Sequence, residues 1–309
     1  MTRLPHDGTQ GAPGAPGSQL LVFHRSGGTG RRSTMPATIV PWRLLKLVPA
    51  PLRGPLHQLW GSECAACGKH ALTARRRALS PELIAAWELS TDWVEHFERR
   101  EGVLCSACGC SARVLQLASV IAAECARKLE LPQTSLARLA RESAFHRLAV
   151  AEINPCGKLH QFLALHPQLS FSDYGSSSVR SEDLQALTYG DQTFDLVLTS
   201  DTLEHIPNIW LAFAEIERVL KPGGAHVFTI PVVSDRPTRV RALIEDSRTR
   251  HLLPPSHHGS PGTSSDDRLV FLEAGGDFSR LAAEHGFPLE IHADPLNPSL
   301  VTFIFRRAS

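Results

Sequence analysis

The chain has 309 residues, 42% of them hydrophobic, and 32 basic residues nearly balance 31 acidic ones to give a formal charge of +1. This length accommodates one large domain or two smaller ones, and the apolar content is that of a protein with a buried core. The near-neutral charge argues against nucleic-acid binding through bulk positive charge, although it leaves room for a local basic patch. No apolar run approaches a membrane span and the start lacks the apolar core of a signal peptide, so we expect a cytoplasmic protein.

The amino-terminal region has a composition unlike the rest of the chain. Residues 1–35 are rich in Gly, Pro, Ser, Thr and Arg, which predicts a disordered tail and leaves Met35 as an alternative start. Residues 36–60 mix apolar and basic side chains, and their prolines interrupt any long amphipathic face. They predict a linker with short helices.

Four of the seven cysteines form two C-x-x-C pairs, Cys64 with Cys67 and Cys105 with Cys108. In a reducing compartment this spacing indicates metal binding rather than disulfides. Four thiolates form the closed, tetrahedral type of zinc site, which stabilises a fold and leaves no open position for chemistry. We therefore predict structural Zn²⁺ in a module over residues 61–115, with Cys110 as a substitute ligand. Free buried thiols or a redox pair are the alternatives.

The pattern changes to alternating helices and strands after the cysteine module. Ser80 followed by Pro81 predicts a helix start within the module, and residues 116–147 predict a helical linker. From residue 148 onward short apolar strands alternate with helices, which is typical of a doubly wound parallel α/β sheet. Within this domain, residues 148–309, the run FDLVLTS is nearly all apolar, as expected of a strand buried on both faces. The final two apolar runs predict a hairpin at the sheet edge.

The stretch YGDQTFDLVLTSDTLEHIPNIWLAFAEIERVLKPGGAHVFTIPV carries a family resemblance. It resembles the second half of a class I S-adenosylmethionine (SAM) dependent methyltransferase, of the type 11 kind. There a buried strand reading FDLV is followed by a polar turn, L-E-H, and a helix ending in L-K-P-G-G. In this chain FDLV occupies residues 194–197, L-E-H residues 203–205 and L-K-P-G-G residues 220–224. The resemblance implies a seven-stranded Rossmann-like sheet, SAM as the cofactor and methyl transfer as the activity.

The resemblance places VAEINPCGKLH, residues 150–160, at the family's first cofactor motif. Glu152 matches the acidic residue that ends the first strand, and Asn154 and Gly157 lie in the loop after it. The family normally has glycines here, because glycine adopts left-handed backbone conformations and lets the backbone approach the cofactor. Asn is the best non-glycine substitute for a left-handed position, so we expect a variant loop that still binds SAM. A degenerate, inactive domain is the alternative.

Further cofactor contacts are expected at the ends of the next strands. Asp173 follows the second strand, where a carboxylate accepts hydrogen bonds from ribose hydroxyls. The resemblance implies that Asp183 binds the adenine amino group and that Leu184 packs on the ring. It also implies a turn that binds the methionine part of SAM. This turn follows the FDLV strand and is formed by Thr199, Ser200 and Asp201. Ligands of open α/β sheets bind outside the carboxyl ends of the strands, where all these residues would lie.

Methyl transfer is an in-line displacement, in which the protein aligns the reactants and removes a proton from the acceptor. The two candidates for this base are His205, in the L-E-H motif, and His258, in an insertion after the fifth strand, and we place His258 first. We also expect His257, Glu273 and Asp277 to line an acceptor pocket there. A surface loop with chance histidines is the alternative.

The acceptor class stays open at this stage. A methyltransferase for an O or N atom of a small molecule or glycan is the first hypothesis. RNA is the second, suited by the arginines around the cysteines: Arg75, Arg76, Arg77, Arg99, Arg100 and Arg113. A methyltransferase-like scaffold without catalysis is the third. Nothing in the sequence predicts an oligomeric state.

Overall fold

The computed structural model of the protein describes residues 63–71, 73–258 and 269–309. The predicted tail over residues 1–35 and the predicted linker over residues 36–60 lie outside the described residues. Within the described ranges, no helix is both long and apolar enough to cross a membrane.

The cysteine-containing part begins with a small antiparallel sheet of strands β1 (Thr73–Arg75) and β2 (Val103–Cys105). In the sequence, the two strands are separated by helices α1 (Pro81–Ala86) and α2 (Thr91–Gly102). As predicted, α1 starts at Pro81, and the Ser80 hydroxyl accepts a hydrogen bond from the Leu83 amide. Helix α3 (Ala112–Leu129) and the single turn α4 (Leu136–Leu139) follow.

The main sheet has six strands in the described part of the chain. Four are parallel and come first: β3 (Val150–Ile153), β4 (Ser170–Ser172), β5 (Phe194–Ser200) and β6 (Leu220–Thr229). Between β3 and β4 lies the short helix α5 (His160–Leu163), and helix α6 (Ile209–Val219) precedes β6. The strand FDLVLTS is confirmed as β5. The predicted helix end at LKPGG is wrong by two residues, since Leu220 to Gly224 already belong to β6.

An insertion after β6 forms strands that lie outside the main sheet. It begins with β7 (Val232–Val233) and β8 (Arg239–Val240), followed by the hairpin of β9 (Ala242–Glu245) and β10 (Arg248–His251). Strand β11 (Leu272–Gly275) pairs with β7 on one side and with β8 on the other. The insertion therefore contains a three-stranded sheet of its own.

The chain ends with helix α7 (Phe278–Glu284) and the strands β12 (Leu289–Asp294) and β13 (Asn297–Arg306). These two strands form the predicted antiparallel hairpin, and the sheet order is β12-β13-β6-β5-β3-β4. Seven strands were expected, but only six join this sheet among the described residues. At the β4 edge Arg180 makes a single parallel bridge to Ser172. The segment around Arg180 is rich in Ser and charged residues, so it lacks the apolar run that a full edge strand would need.

Helices cover both faces of the main sheet, which confirms the doubly wound α/β class. Alternate residues of a strand point to opposite faces. Accordingly Leu196 and Leu198 pack in one cluster with α3, whereas Val197 packs in a second cluster with α6 and α7. Both faces are buried, and the carboxyl ends of the parallel strands remain as the place where a ligand can bind.

Candidate active-site cleft

A cleft of about 820 Å³ opens at the carboxyl ends of β3, β4 and β5. It lies where the topology of an open α/β sheet places ligands. Most residues that the sequence singled out for the cofactor line this one cleft: Asn154, Gly157, Asp173, Asp183, Leu184, Ser200 and Asp201. Residues that lie far apart in the chain are thus brought to one site.

The loop after β3 adopts the strained turn that the sequence interpretation requires. Asn154 has a φ of 59° and Gly157 a φ of 58°, both in the left-handed region. The Asn154 amide donates to Ser172 O at 2.9 Å, and its Oδ1 accepts from the Tyr174 amide at 2.8 Å. Asn154 therefore replaces a glycine in conformation and also ties the ends of β3 and β4 together.

Glu152 and Thr199 were expected to contact the cofactor, but both are fully buried and neither lines the cleft. The Glu152 carboxylate accepts from the Cys156 amide at 2.8 Å and contacts His160 Nδ1 at 2.6 Å. Burial raises the pKa of Glu152, although these two contacts oppose the shift. Glu152 thus braces the cofactor loop from within. Thr199 Oγ1 lies 2.9 Å from His226 Nε2 in the core of the sheet.

Two carboxylates stand at the cleft on the β4 side. The Asp173 amide donates to Arg180 O at 2.9 Å, which fixes its backbone, while its carboxylate has no hydrogen-bond or ion-pair partner within the described part of the chain. Asp183 Oδ1 accepts from the Gln185 amide at 2.8 Å, and the neighbouring Leu184 is buried against the core. The unpaired carboxylate of Asp173 and the hydrogen-bonded carboxylate of Asp183 are therefore both available to a ligand.

The turn after β5 is held by a buried cluster of charges. Arg100 donates two hydrogen bonds of 2.7 Å to the Asp201 carboxylate, and Arg113 Nε lies 3.1 Å from it. Burial opposes ionisation of Asp201, but the two guanidinium groups outweigh it and hold its pKa well below the usual value. Arg113 also contacts Ser200 Oγ and Glu101. Arg100 and Arg113 were among the arginines expected to suit an RNA acceptor, but their guanidinium groups pair within this internal cluster.

The other arginines of that group have different surroundings. Arg99 pairs with Glu95 on the outer side of α2. Arg75, Arg76 and Arg77 are exposed, and the last two line the cleft. A basic rim therefore remains at the cleft, but it is smaller than the sequence suggested.

The cysteine-containing part forms one wall of the cleft, which the sequence did not reveal. Leu79, Leu83, Trp87 and Phe97 line it opposite the sheet. Trp87 Nε1 donates to Ser256 Oγ of the insertion at 2.9 Å. Its ring packs with Val233 and Val270 in one apolar cluster. The tryptophan in AAWELS was the available signal, but nothing local says which surface it covers.

His205 and His258 come together in the cleft, with ring centroids 4.9 Å apart. Their Nε2 atoms lie 3.7 Å and 3.4 Å from Oε1 of Glu204, which is fully buried. Burial lowers the pKa of His205, so its imidazole is neutral near neutral pH. Glu204 was part of the L-E-H motif, but the sequence could not show that it meets His258.

The other three residues that were expected at an acceptor pocket do not line the cleft: His257, Glu273 and Asp277. His257 is exposed. Glu273 is buried among Arg236, Arg239 and Arg241, with which it forms ion pairs. Asp277 accepts from the Thr238 amide at 2.7 Å. The expectation of an acceptor pocket lined by these three residues is therefore not supported by their positions.

The sulfurs of the four paired cysteines lie within 4.8 Å of one another. The Cys64–Cys108 and Cys67–Cys105 sulfur distances are 3.8 Å and 4.0 Å, and none of these residues forms a disulfide. A tetrahedron with Zn–S bonds of about 2.3 Å has edges of about 3.8 Å, so the donor set fits zinc. Cys110 is buried nearby but is not part of the group.

Comparison with known proteins gives partial matches to methyltransferases. Residues 165–228 match the family described as "Methyltransferase domain". A sterol 4-C-methyltransferase of Caenorhabditis elegans is 37% identical over 60 residues, which are 18% of this chain and 18% of that protein. A ubiquinone/menaquinone biosynthesis C-methyltransferase of Hydrogenovibrio crunogenus is 58% identical over 40 residues, 13% of this chain and 16% of that protein. The chain thus matches less than a fifth of these relatives' length.

Among solved structures, the 1,6-didemethyltoxoflavin-N1-methyltransferase of Burkholderia thailandensis, with bound S-adenosylhomocysteine, shares 16% identity with a TM-score of 0.36. The match covers 64% of this chain and 89% of that one. Residues 165–228, which match the methyltransferase family, contain β4, β5, α6 and most of β6 of the main sheet.

Proposed function

We propose that the protein is a SAM-dependent methyltransferase that binds SAM in the cleft at the carboxyl ends of β3, β4 and β5. The observation that carries the proposal is the convergence of the Asn154 turn, Asp173, Asp183 and the β5 turn on this single cleft. The family match over residues 165–228 supports it. In this arrangement the adenosine lies on the β4 side and the methionine part lies beside Ser200 and Asp201.

Asp173 provides the direct test of the cofactor position. Its unpaired carboxylate is placed to accept hydrogen bonds from the ribose hydroxyls, and a charge-assisted hydrogen bond contributes about 1.5–3 kcal/mol. Asp173→Ala is expected to weaken S-adenosylhomocysteine binding by about tenfold or more. Asp235→Ala, at an exposed position away from the cleft, is the matched control and is expected to leave affinity unchanged. Equal affinity of the two variants would remove Asp173 from the cofactor site.

Transfer of the methyl group needs a lone pair on the acceptor and a place for its proton. The acceptor atom forms the new bond to carbon, while the S–CH₃ bond breaks and its electron pair stays on sulfur. The proton passes to an imidazole at the cleft, and His258 and His205 are the two candidates. His258→Ala is expected to lower turnover without changing SAM affinity. Full activity of this variant would retire His258 from proton transfer.

A small molecule or glycan with an O or N nucleophile is the first acceptor class. A cleft of about 820 Å³ falls within the range of small-molecule sites, and one of its walls is formed by apolar side chains of the cysteine-containing part. RNA is the second class, favoured by exposed Arg76 and Arg77 at the cleft. Incubation of cell extract with methyl-labelled SAM distinguishes them: ribonuclease-resistant label of low mass supports the first class, and ribonuclease-sensitive label supports the second.

The non-catalytic scaffold is the third reading, supported only by the missing glycines of the first motif. It predicts no binding of SAM or S-adenosylhomocysteine at all.

The paired cysteines are proposed to hold a structural zinc ion. Cys64, Cys67, Cys105 and Cys108 supply four thiolates at tetrahedral spacing, which leaves no open position for a substrate. The ion would join the turn at residues 64–68 to strand β2 and so steady the wall of the cleft. Its contribution is to folding and not to the transfer step.

A further inference from the structure

We propose that Glu204, His205 and His258 form a second metal site, in which a first-row divalent cation binds at the acceptor side of the cleft. The cation's binding does not depend on the proposed function, whereas its role in methyl transfer does. The site is separate from the four cysteines, since its donors are one carboxylate and two imidazoles.

The donor atoms already stand at the spacing of a coordination shell. One donor atom from each of the three residues lies within 4.8 Å of those from the other two. Glu204 Oε1 lies 3.4 Å from His258 Nε2 and 3.7 Å from His205 Nε2. For bonds of about 2.1 Å to oxygen and nitrogen, a tetrahedral site has edges of about 3.4 Å. No large movement is needed to close the three donors around an ion.

The hydrogen bond on the far side of His205 orients its ring for this role. Nδ1 lies 3.1 Å from the carbonyl oxygen of Leu269, so Nδ1 carries the proton and donates it. Nε2 is then unprotonated and faces Glu204 Oε1. His205 Nε2 and Glu204 Oε1 are then two acceptor atoms that face each other with no proton between them, and a cation between them would be coordinated by both. This outward N–H···O=C bond is also the usual support of a metal-ligating histidine.

Unpaired buried atoms at the cluster provide a second, independent observation. Glu204 is fully buried, and its Oε2 has no hydrogen-bond partner in the described part of the chain. Nδ1 of His258 is buried and unpaired as well. Buried polar groups are nearly always satisfied, and a buried carboxylate costs several kcal/mol unless it is paired or coordinates a metal. A bound cation would coordinate this carboxylate.

The donor set indicates which cations fit. Two imidazoles and one carboxylate with a free position toward the cleft suit Zn²⁺, Mn²⁺ or Fe²⁺. Asp201, three residues before Glu204, does not join them because Arg100 and Arg113 hold its carboxylate. The open position faces the cleft that His205 and His258 line. An acceptor oxygen or nitrogen would bind there.

Such an ion changes the part that the histidines play. A hydroxyl bound to a divalent cation loses its proton to solvent more readily, because the cation stabilises the oxyanion. Such an oxyanion would form the bond to the methyl carbon as the S–CH₃ bond breaks, and the electron pair of that bond would stay on sulfur. The imidazoles act as ligands, and neither of them has to accept the proton.

The test uses Mn²⁺, because thiolates select zinc whereas imidazole and carboxylate ligands accept manganese. The full-length protein is dialysed against a chelator until it holds at most one zinc per chain and is then titrated with Mn²⁺ by calorimetry. We expect one Mn²⁺ per chain, bound at least tenfold more weakly by Glu204→Gln and by His258→Gln. His257→Gln, next in sequence but exposed, is expected to match the wild type.

Two results would overturn the site: no Mn²⁺ binding by the wild type, or equal affinity in all three variants. His258 is partly exposed, so its variant tests the site even if the buried Glu204→Gln fails to fold. S-adenosylhomocysteine is titrated into the same samples. Mn²⁺ binding without S-adenosylhomocysteine binding would uphold the metal site and reject the proposed transferase.

Discussion

Arg100 holds Asp201 through two parallel hydrogen bonds of 2.7 Å, across a hundred residues of sequence. Arg100 lies on α2 of the cysteine-containing part, and Asp201 lies in the turn after β5 with a φ of 47°. The pair therefore fixes a strained turn of the candidate active site from outside the α/β domain. It makes the first part of the chain a structural component of the cleft.

Substitution of Arg100 should show how much this pair contributes. Arg100→Lys keeps the charge but loses the fork of two hydrogen bonds, so we expect a loss of about 1–3 kcal/mol in the free energy of unfolding and weaker S-adenosylhomocysteine binding. Arg250→Lys makes the same change in an exposed pair with Glu245 and should change stability by less than about 1 kcal/mol. Urea denaturation measures both, and equal stabilities would show that the fork is not important.

Removal of one cysteine ligand should release the zinc. Cys105→Ser is expected to lower the zinc content well below that of the wild type and to lower the Tm, because metal binding and folding are coupled. Cys125→Ser, a buried cysteine outside the cluster, should keep its zinc. Metal analysis measures the zinc content of the two variants, and thermal denaturation measures their Tm. An unaltered zinc content in Cys105→Ser would exclude the four-cysteine site.

His226 should make the fold sensitive to mild acid. Burial in the sheet lowers its pKa to about 3, far below the ordinary value of 6.5. Between these two values only the unfolded chain binds the proton, so stability is full above about pH 6.5 and is lost as the pH falls toward 3. From pH 7 to pH 5 this histidine alone should cost about 2 kcal/mol.

The variant His226→Gln isolates this effect. Its loss of unfolding free energy between pH 7 and pH 5 should be smaller than that of the wild type by about 2 kcal/mol. His251→Gln, at an exposed position, should follow the wild type. Urea denaturation at the two pH values measures the difference, and parallel losses in all three proteins would contradict the assignment.

Glu273 should be essential to the insertion. It forms ion pairs with three arginines from a fully buried position, and Arg241 is buried with it. Loss of one partner of a buried ion pair typically costs about 3–5 kcal/mol, and this is the loss we expect for Glu273→Gln. Glu284→Gln, in an exposed pair with Arg280, should cost less than about 1 kcal/mol. A Tm of Glu273→Gln equal to that of the control would contradict this role.

The sequence predicted the centre of the sheet better than its edge. FDLVLTS was identifiable because a parallel strand buried on both faces is nearly all apolar, and β5 is that strand. The edge beyond β4 depends on backbone pairing alone, and among the described residues the Ser172–Arg180 bridge is the one pairing that forms there. The expected seventh strand had no apolar run of its own to indicate whether it would form.

Among the site residues, too, those that depend on local conformation could be predicted and those that depend on distant contacts could not. Asn154 could be predicted because its left-handed conformation is a local property. Glu152 and Thr199 were expected at the cofactor but lie in the interior, because the direction of a strand side chain depends on register and on its neighbours. The Arg100–Asp201 and Glu204–His258 contacts join distant segments, and no local pattern predicts such pairs.

Binding of S-adenosylhomocysteine to the wild-type protein, measured by calorimetry on folded and zinc-loaded samples, tests the central claim most directly. Micromolar binding with one site per chain is the predicted result, and it would show that the Asn154 loop works without the family's glycines. No binding of either S-adenosylhomocysteine or SAM would contradict the claim, and the protein would then be a methyltransferase-like scaffold.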